Sequence, residues 1–398
     1  MHDCSGMESR RLNPTALHIC GRVCAMVLAL LAPMRAGASD AAGQLRAIVD
    51  GTIRPLMATH DIPGLALALT VDGRVYVFNY GLASIERQTP VTDASIFEIG
   101  SISKMFTTTL AAYAQASGRL SLDDHPGRYL PSLRGRPIDQ ATLLHLGTYT
   151  AGGLPLQFPE EVRDSEAALS YFGAWKPDAP PGTIRRYSNP SIGLLGAATA
   201  AALKDRYARL VETQLLPKLG MRHTYIHVPP QALPDYAWGY REGKPVRVNP
   251  GPLDEETYGI KSTASDLIVF LQANIDPGAL DAPLRRAVEA THIGYFRVGA
   301  MVQGFGWEQY PYPLSRETLL RGNAEGVIFE PNPVQALEPA PAPQARLYDK
   351  TGSTGGFGAY GAFVPSKRIG LVLLANKSFP IAARVAAAYA ILDRVAPP

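Results

Sequence analysis

The sequence predicts an α+β protein in which one antiparallel sheet is built from both ends of the chain and is flanked by helices. Near the start, the strand-like runs GLALALTV and RVYVFNYGL are separated by Asp72-Gly73, a dipeptide typical of a tight hairpin turn. Near the end, FGAYGAFVP and RIGLVLLA form a second strand pair joined at Ser366-Lys367. Apolar residues at helical spacing predict one helix in residues 40–58 and another in IAARVAAAYAILDRV.

The middle of the chain has a different character. Residues 118–200 show few strand patterns and more helical and loop patterns, and they predict a mostly helical lobe. The remaining α/β lobe would consist of residues 39–117 and 201–398, with the active site at the interface of the lobes. Residues 228–258 and 322–347 are proline-rich and irregular, a composition typical of functional rims or flexible insertions.

Composition excludes two classes of partner. The chain has 398 residues, 46% of them hydrophobic, and a formal charge of +3. Residues 39–398 alone contain 34 basic and 33 acidic side chains, a net charge of +1. This charge balance gives no electrostatic footprint for nucleic acid or for anionic lipid.

Residues 1–38 have the pattern of a cleaved secretory signal peptide. Arginines precede the apolar run VCAMVLALLAP, which is too short to span a bilayer, and Ala36-Gly37-Ala38 fits a small-residue cleavage site. The mature chain is then expected to begin near Ser39 and to be periplasmic, and the true start of the precursor could be Met7. The alternative is a retained membrane anchor.

All three cysteines fall in this N-terminal segment, at positions 4, 20 and 24. The processed protein would therefore contain no thiol, no disulfide and no cysteine ligand for a metal.

The first chemical motif is Ser101-Ile102-Ser103-Lys104, at the start of a pattern that predicts a helix over 101–115. Residues three apart share a helix face, so Lys104 can reach the Ser101 hydroxyl. A serine becomes a good nucleophile only when a neighbouring base takes its proton, and a lysine serves as that base only if its pKa is lowered. The alternative is an N-capping serine followed by a solvated lysine.

The second motif is Tyr187-Ser188-Asn189. A tyrosine beside a positive lysine favours its phenolate and can transfer protons. Asn189 offers an acceptor and two donors, which suits it to hold a lysine and a substrate amide together. Read in isolation, the segment is an ordinary loop before a helix that starts near Pro190.

The third motif is Lys350-Thr351-Gly352-Ser353, directly before a predicted strand. A cation and a hydroxyl on an edge strand can bind a carboxylate. Glycine lets a substrate lie against the backbone, and the Ser353 N–H can point into an oxyanion hole. The alternative is a β-turn with an exposed lysine.

The ordered motifs S-x-x-K, Y-x-N and K-T-G resemble the signature of class C (AmpC-type) β-lactamases, within the penicillin-recognising serine enzymes. The resemblance extends over essentially the whole mature chain, through FEIGSISK, LLHLGTYTAGGLPLQFP, YSNPSIGLLG, GPLDEETYGIKSTASDL, KTGSTGGFGAY and LLANKSFP. It implies a β-lactamase/transpeptidase-like fold. It also implies hydrolysis of cephalosporins and penicillins through a serine acyl-enzyme, which confers antibiotic resistance.

The resemblance also implies a role for particular residues. Ser101 would be the nucleophile, Lys104 its activating partner, and Tyr187 the group that transfers protons in acylation and deacylation. Lys350 joins the catalytic group and, with Thr351, resembles the family's contacts to the substrate carboxylate. The backbone N–H groups of Ser101 and Ser353 would form the oxyanion hole.

Four further positions resemble substrate-binding residues of the family. They are contacts to the amide arm at Gln157 and Asn189, an aromatic wall at Tyr258, and an arginine near the carboxylate end at Arg384. The sequence departs from the family after LAN-K, where asparagines are frequent and this chain has Ser378 and Ile381. An isoleucine side chain cannot hydrogen-bond a carboxylate, which puts carboxylate recognition and inhibitor sensitivity in doubt. Asp349, before Lys350, is a variable feature without an interpretation from sequence.

A metal-dependent hydrolase is a separate hypothesis, because His223 and His227 are four residues apart. On a helix such a pair could bind zinc, but Thr224-Tyr225-Ile226 favours a strand, on which the two histidines would lie about 13 Å apart. We therefore expect no metal and no cofactor.

Other serine mechanisms share parts of the pattern. A class A enzyme would carry S-D-N and a glutamate-directed water, whereas this chain has Tyr187 and Asn189 in the middle motif. A D-alanyl-D-alanine carboxypeptidase, an esterase of the same fold and a non-enzymatic penicillin-binding sensor stay open. The esterase commonly lacks the K-T-G lysine, and the sensor should lack an efficient deacylating group. The expected partners are small β-lactam molecules, and the expected state is a monomer.

Overall fold

The computed structural model describes residues 32–341 and 345–395. Residues 1–31 of the predicted signal peptide, with all three cysteines, lie outside the described residues. Ala36-Gly37-Ala38 falls in the first described helix, α1 (Ala32–Thr59). Cleavage there stays a prediction.

The main sheet is antiparallel throughout and contains ten strands in the described part of the chain. The order is β13-β9-β10-β11-β14-β15-β16-β1-β2-β3, so strands from the two ends of the chain meet at its centre. Their bounds are β1 Gly64–Val71, β2 Arg74–Ser84, β3 Thr89–Pro90, β9 Gly294–Val298, β10 Met301–Gly304, β11 Glu308–Pro311, β13 Gln335–Ala336, β14 Arg346–Ser353, β15 Gly358–Val364 and β16 Ile369–Ala375. Three small ladders pair β4 (Phe97–Glu98) with β8 (Lys261–Ser262), β5 (Ile184–Arg185) with β12 (Asn332–Pro333), and β6 (Gly239–Arg241) with β7 (Lys244–Val246).

Helices and helical turns fill most of the remaining chain. The α-helices after α1 are α2 Ser103–Ala116, α3 Leu143–Gly147, α4 Ser165–Ala174, α5 Asn189–Leu203, α6 Tyr207–Leu210, α7 Leu216–Lys218, α8 Ala264–Ile275, α9 Ala282–Thr291, α10 Arg316–Gly322, α11 Glu325–Phe329 and α12 Ile381–Val395. A π-helical turn, Val211–Leu215, links α6 to α7. Helices α8 and α12 pack on the central strands β15 and β16.

The predicted sheet is confirmed at its centre. The Asp72-Gly73 turn joins β1 to β2, and β1 pairs with β16 in a register that runs from Leu65 opposite Ala375 to Val71 opposite Ile369. Both strands are buried along nearly their whole length, which explains their continuous apolar sequence. The closing helix begins and ends at the predicted residues, Ile381 and Val395.

Helix α2 positions the first motif. It packs between α5 and α9, and the ring of Phe106 stacks on Phe270 of α8 at 4.4 Å between ring centres. Eleven of its fourteen residues are buried. Because the helix is packed on several sides, the side chains at its N-terminus are held in defined positions.

Residues 118–200 contain helices α3 to α5, three 3-10 turns and one two-residue strand, β5. This content agrees with the predicted helical character of the segment. The division of the protein into two lobes stays a prediction. The irregular segments at 228–258 and 322–347 contain short elements that the sequence did not predict, such as α11 and the β6–β7 ladder.

Candidate active site

Ser101 lies in a 3-10 turn, Gly100–Ile102, directly before α2. The predicted helix start at residue 101 was wrong by two residues, because the chain first makes this tighter turn. Gly100 has φ of +52°, and a Cβ there would lie 2.5 Å from the backbone nitrogen of Ser353. Only glycine permits so close an approach at that φ, and the approach brings the Ser101 turn against the end of β14.

Lys104 lies one helical turn beyond Ser101 and is completely buried. Its Nζ donates to Ser101 Oγ at 2.8 Å and to the backbone oxygen of Thr257 at 3.0 Å. Burial, together with the positive charge of Lys350, lowers the pKa of Lys104 to about 8. A lysine with such a pKa is neutral in about one molecule in ten at pH 7, far more often than an ordinary lysine, and can accept a proton from serine.

Tyr187 lies between two lysines. The Nζ atoms of Lys104 and Lys350 are 5.1 Å and 4.8 Å from the centre of its ring. Burial opposes ionisation of the phenol, but the charges of these two lysines outweigh it, so the pKa of Tyr187 is lowered. Its hydroxyl has no hydrogen-bond partner among the described residues. Ser101 and Lys104 are nevertheless close enough to contribute to the lowered pKa, so the tyrosine hydroxyl adjoins both the serine and the lysine.

Lys350 is buried and anchored by an acid that the sequence analysis missed. Its Nζ lies 3.7 Å from Oε1 of Glu308, and the same oxygen accepts from Arg185 Nη2 at 3.0 Å. Burial alone would lower the pKa of Lys350, but the charges of Glu308, Tyr187 and Asp349 together outweigh it, and the pKa is raised. Lys350 therefore keeps its positive charge across the physiological range.

Arg185 ties this charge cluster to three parts of the chain. Beyond Glu308 in β11, it donates to Gln303 Oε1 of β10 at 2.7 Å and to the backbone oxygen of Val327 in α11 at 2.7 Å. No local motif marks Arg185 or Glu308, since they are 123 residues apart and only the sheet brings them together.

Asn189 and Gln157 are in direct contact, and their predicted contacts to a substrate amide arm stay predictions. Asn189 Nδ2 donates to Gln157 Oε1 at 2.8 Å, while Asn189 Oδ1 is buried and has no partner among the described residues. Ser188 caps helix α5 by accepting from the backbone N–H of Ser191, and this cap fixes Asn189 in the first turn.

These side chains share one cleft of about 330 Å³. Eight of the predicted site residues line it: Ser101, Gln157, Tyr187, Asn189, Tyr258, Lys350, Thr351 and Ser353. Its remaining wall is partly apolar, from side chains that the sequence analysis did not single out: Leu156, Val248, Ile328 and Phe329. The cleft is thus lined by both polar and apolar side chains, as small-molecule sites usually are.

Arg384 does not line this cleft. It is buried and donates to the backbone oxygen of Gly352 at 2.7 Å and to Ser353 Oγ at 2.8 Å. Its second terminal nitrogen donates to the backbone oxygen of Phe379 and to Ser378 Oγ. The arginine thus holds the end of β14 in place through Gly352 and Ser353. Its direct contact with substrate stays a prediction.

The two residues at which the sequence departs from the family after LAN-K have different surroundings in the structure. Ile381, the first residue of α12, lines the cleft, while Ser378 is engaged with Arg384. The lining of the cleft is therefore apolar at Ile381.

The histidine pair has other partners. His227 Nε2 lies 2.9 Å from Glu255 Oε1 on the surface, and the His223 backbone N–H donates to Asp266. Tyr225 forms an isolated bridge with Lys261 in place of the predicted strand. Within the described residues, no group of three or more His, Cys, Asp or Glu side chains is placed to hold a metal ion.

A serine in contact with a buried lysine, next to a tyrosine whose hydroxyl is unpaired, is the arrangement of a serine acyl-transferring hydrolase. The chain belongs to the beta-lactamase family, whose model matches residues 49–396. A beta-lactamase of Pseudomonas fluorescens is 52% identical over 354 residues, which are 88% of this chain and 99% of that protein.

Solved structures of beta-lactamases also resemble this chain in sequence and fold. A beta-lactamase/D-alanine carboxypeptidase from Pseudomonas syringae is 46% identical with a TM-score of 0.86, covering 89% of this chain and all of that one. A class C beta-lactamase in complex with cefoxitin is 45% identical with a TM-score of 0.85, covering 89% of this chain and 99% of that one. The predicted family and fold are confirmed.

Proposed function

We propose that this protein is a class C serine β-lactamase that hydrolyses cephalosporins and penicillins and so confers antibiotic resistance. The observation that carries the proposal is the 2.8 Å hydrogen bond from Lys104 Nζ to Ser101 Oγ, at the base of a cleft that also contains Tyr187 and Lys350. Membership of the family and the class C structural relatives support the same activity.

In the first half-reaction, Ser101 Oγ attacks the lactam carbonyl while Lys104 accepts the hydroxyl proton. The carbonyl oxygen becomes an oxyanion, stabilised by the backbone N–H groups of Ser101 and Ser353. The C–N bond of the ring then breaks, the ring nitrogen takes up a proton through Tyr187, and an ester to Ser101 remains.

In the second half-reaction, a water attacks this ester. Tyr187 is placed to take the water proton, because its pKa is lowered and its hydroxyl has no partner among the described residues. Collapse of the intermediate returns the proton to Ser101 and releases the ring-opened acid.

Substrate orientation follows from the charges of the cleft. Lys350 and Thr351 would bind the carboxylate of the β-lactam, and the unpartnered Oδ1 of Asn189 would accept from the N–H of its amide arm. Gln157, which holds Asn189 Nδ2, fixes the orientation of that amide. Tyr258 would form one wall, and Arg384 would act mainly by supporting Ser353.

The test is sustained turnover of a chromogenic cephalosporin by residues 39–398. We expect Ser101→Ala to abolish turnover, and Ser366→Ala, in the exposed turn between β15 and β16, to leave it unchanged. A stoichiometric burst followed by no further product would contradict the deacylation role of Tyr187. Turnover that survives in Ser101→Ala would refute the serine mechanism.

A second candidate activity is D-alanyl-D-alanine carboxypeptidation, which the name of the Pseudomonas syringae relative specifically suggests. Both activities use the same serine. Release of D-alanine from a peptide ending in D-Ala-D-Ala, measured beside cephalosporin turnover, ranks the two by kcat/KM.

Export to the periplasm is part of the proposal. It is supported by the arginines, apolar run and small residues within positions 1–38. Among the described residues, no helix has the length and apolar character needed to cross a bilayer. The periplasmic enzyme is expected to be a monomer that begins near Ser39, which intact-mass measurement and gel filtration would test.

A further inference from the structure

Asp349 is a fully buried acid next to the catalytic lysine in sequence, and the proposed mechanism does not use it. Its Oδ2 accepts from Tyr360 OH at 2.8 Å and from Asn323 Nδ2 at 2.9 Å. Its Oδ1 is also buried and has no hydrogen-bond partner among the described residues. Buried polar atoms are usually paired, so a carboxyl with one unpaired oxygen requires an explanation.

The register of the sheet places Asp349 directly opposite Glu308, across the ladder between β14 and β11. Side chains directly opposite each other share a sheet face, so two acids lie close together in a buried setting. Glu308 is the acid whose Oε1 lies 3.7 Å from Lys350 Nζ and 3.0 Å from Arg185 Nη2.

The surroundings of Asp349 include groups from every neighbouring element. Glu308 and Tyr310 face it from β11, Tyr360 faces it from β15, and Asn323 faces it from the C-terminal cap of α10. Lys350 is the next residue of the same strand, and Arg185 acts through Glu308 from β5. With Asp349 ionised, the two acids balance Lys350 and Arg185. With Asp349 neutral, the same cluster carries one net positive charge.

Burial, reinforced by the negative charge of Glu308, raises the pKa of Asp349 to about 7. The hydrogen bonds from Asn323 and Tyr360 act in the opposite direction, as does the charge of Lys350. The change in cluster charge therefore falls in the neutral range.

We propose that Asp349 is a positioning residue that adjusts, with pH, the positive charge Lys350 presents to the substrate carboxylate. This inference rests on the proposed function, since it assumes an anionic β-lactam in the cleft. As the pH rises, Asp349 loses its proton, the cluster loses its excess positive charge, and anionic substrates bind more weakly. Ionisation of Asp349 removes one net positive charge from the buried cluster, and this loss should raise the dissociation constant of an anionic substrate by about tenfold.

The experiment measures binding of a cephalosporin in the Ser101→Ala background from pH 5.5 to 8.5, so that chemistry does not contribute. We expect Ser101→Ala/Asp349→Asn to bind about equally at the acidic end and about tenfold more tightly at the alkaline end. Asparagine keeps an oxygen acceptor for Tyr360 and Asn323, and thermal melting reports whether the fold is retained. Lys104 also titrates near pH 8, but it does so in both proteins, so their difference isolates Asp349.

Two further variants and one further ligand separate this role from a structural one. Tyr360→Phe removes a donor to the carboxylate and should move the midpoint of the binding transition to higher pH. Asp266→Asn, a change at a buried acid that bonds Thr224, should leave the transition unmoved. A methyl ester of the same cephalosporin, which lacks the carboxylate, should bind with no dependence on Asp349.

A dissociation constant whose pH dependence is identical with and without Asp349 would overturn the inference. Turnover of β-lactams by the wild-type enzyme is measured in parallel. If turnover is present and the binding curves coincide, only the role of Asp349 fails. If turnover is absent, the proposed function fails, and this inference fails with it.

Discussion

Replacing Glu308 by glutamine should destabilise the protein strongly, because its charge is buried between two cations. Glu308, Arg185 and Lys350 have side chains exposed by only 4%, 0% and 2%. The substitution keeps the size of the side chain and removes the one charge that both cations share. Arg185 keeps its bonds to Gln303 and Val327 but loses its ion pair.

The expected loss follows from burial. Removing one member of a buried ion pair leaves an uncompensated buried charge and typically costs about 3–5 kcal/mol. The surface pair Arg321–Glu317 provides the matched control, since its side chains are 64% and 79% exposed. Exposed pairs contribute about 0.2–1 kcal/mol, so Glu317→Gln should have a small effect.

Urea denaturation of the wild type and both variants would measure the two losses in the free energy of unfolding. The cephalosporin KM of Glu308→Gln should also change, because Lys350 loses its anchor. A loss below about 1 kcal/mol, equal to that of Glu317→Gln, would refute the view that Glu308 holds a buried charge cluster together.

Three other predictions follow from the site and the core. Tyr187→Phe should slow deacylation by about 10²–10⁴-fold, the usual contribution of a positioned proton-transfer group, and intact-mass spectrometry should then detect an acyl-enzyme on Ser101. Gly100→Ala should reduce acylation and cost about 1–3 kcal/mol in urea denaturation, because alanine is strained at φ of +52° and its Cβ would collide with the backbone of Ser353. Burial lowers the pKa of His292 from 6.5 to about 4, so the unfolded chain binds that proton first as the pH falls. The contribution of His292 to the free energy of unfolding is therefore fully present above pH 6.5. It decreases by up to about 3 kcal/mol as the pH falls toward 4, and His292→Gln should make that decrease smaller.

The glycine and histidine predictions have controls in the same chain. Gly118 has φ of +67° with open space around its Cβ direction, so Gly118→Ala separates backbone strain from collision. His223 is exposed, and His223→Gln should leave the acid dependence unchanged. Tyr187→Phe with wild-type turnover and no trapped adduct would remove the tyrosine from the mechanism.

The sequence predicted best where short-range chemistry decides structure. Alternating or continuous apolar runs around Asp72-Gly73 predicted both strands of that hairpin, and the three motifs predicted side chains that share one cleft. The start of α2 was missed because a 3-10 turn and a helix have the same local pattern, and only contact with β14 favours the turn. The Arg185–Glu308 pair was missed because its two members are 123 residues apart and only the sheet brings them together. Strands β9 to β11 pair with near neighbours in the chain, but each has only four or five residues, too few for a clear strand pattern.

The pairing of β1 with β16 has a consequence for how the molecule is made. Leu65 and Ala375 are neighbours in the sheet, although 309 residues separate them in the chain. Strand β1 can therefore form its hairpin with β2 early, but its other edge waits until nearly the whole polypeptide has been synthesised. During that interval an apolar strand edge is exposed, which invites association with other chains and slows completion of the fold. A late-closing sheet keeps a newly made chain unfolded for longer, and an unfolded chain is the form that can be threaded through a narrow pore.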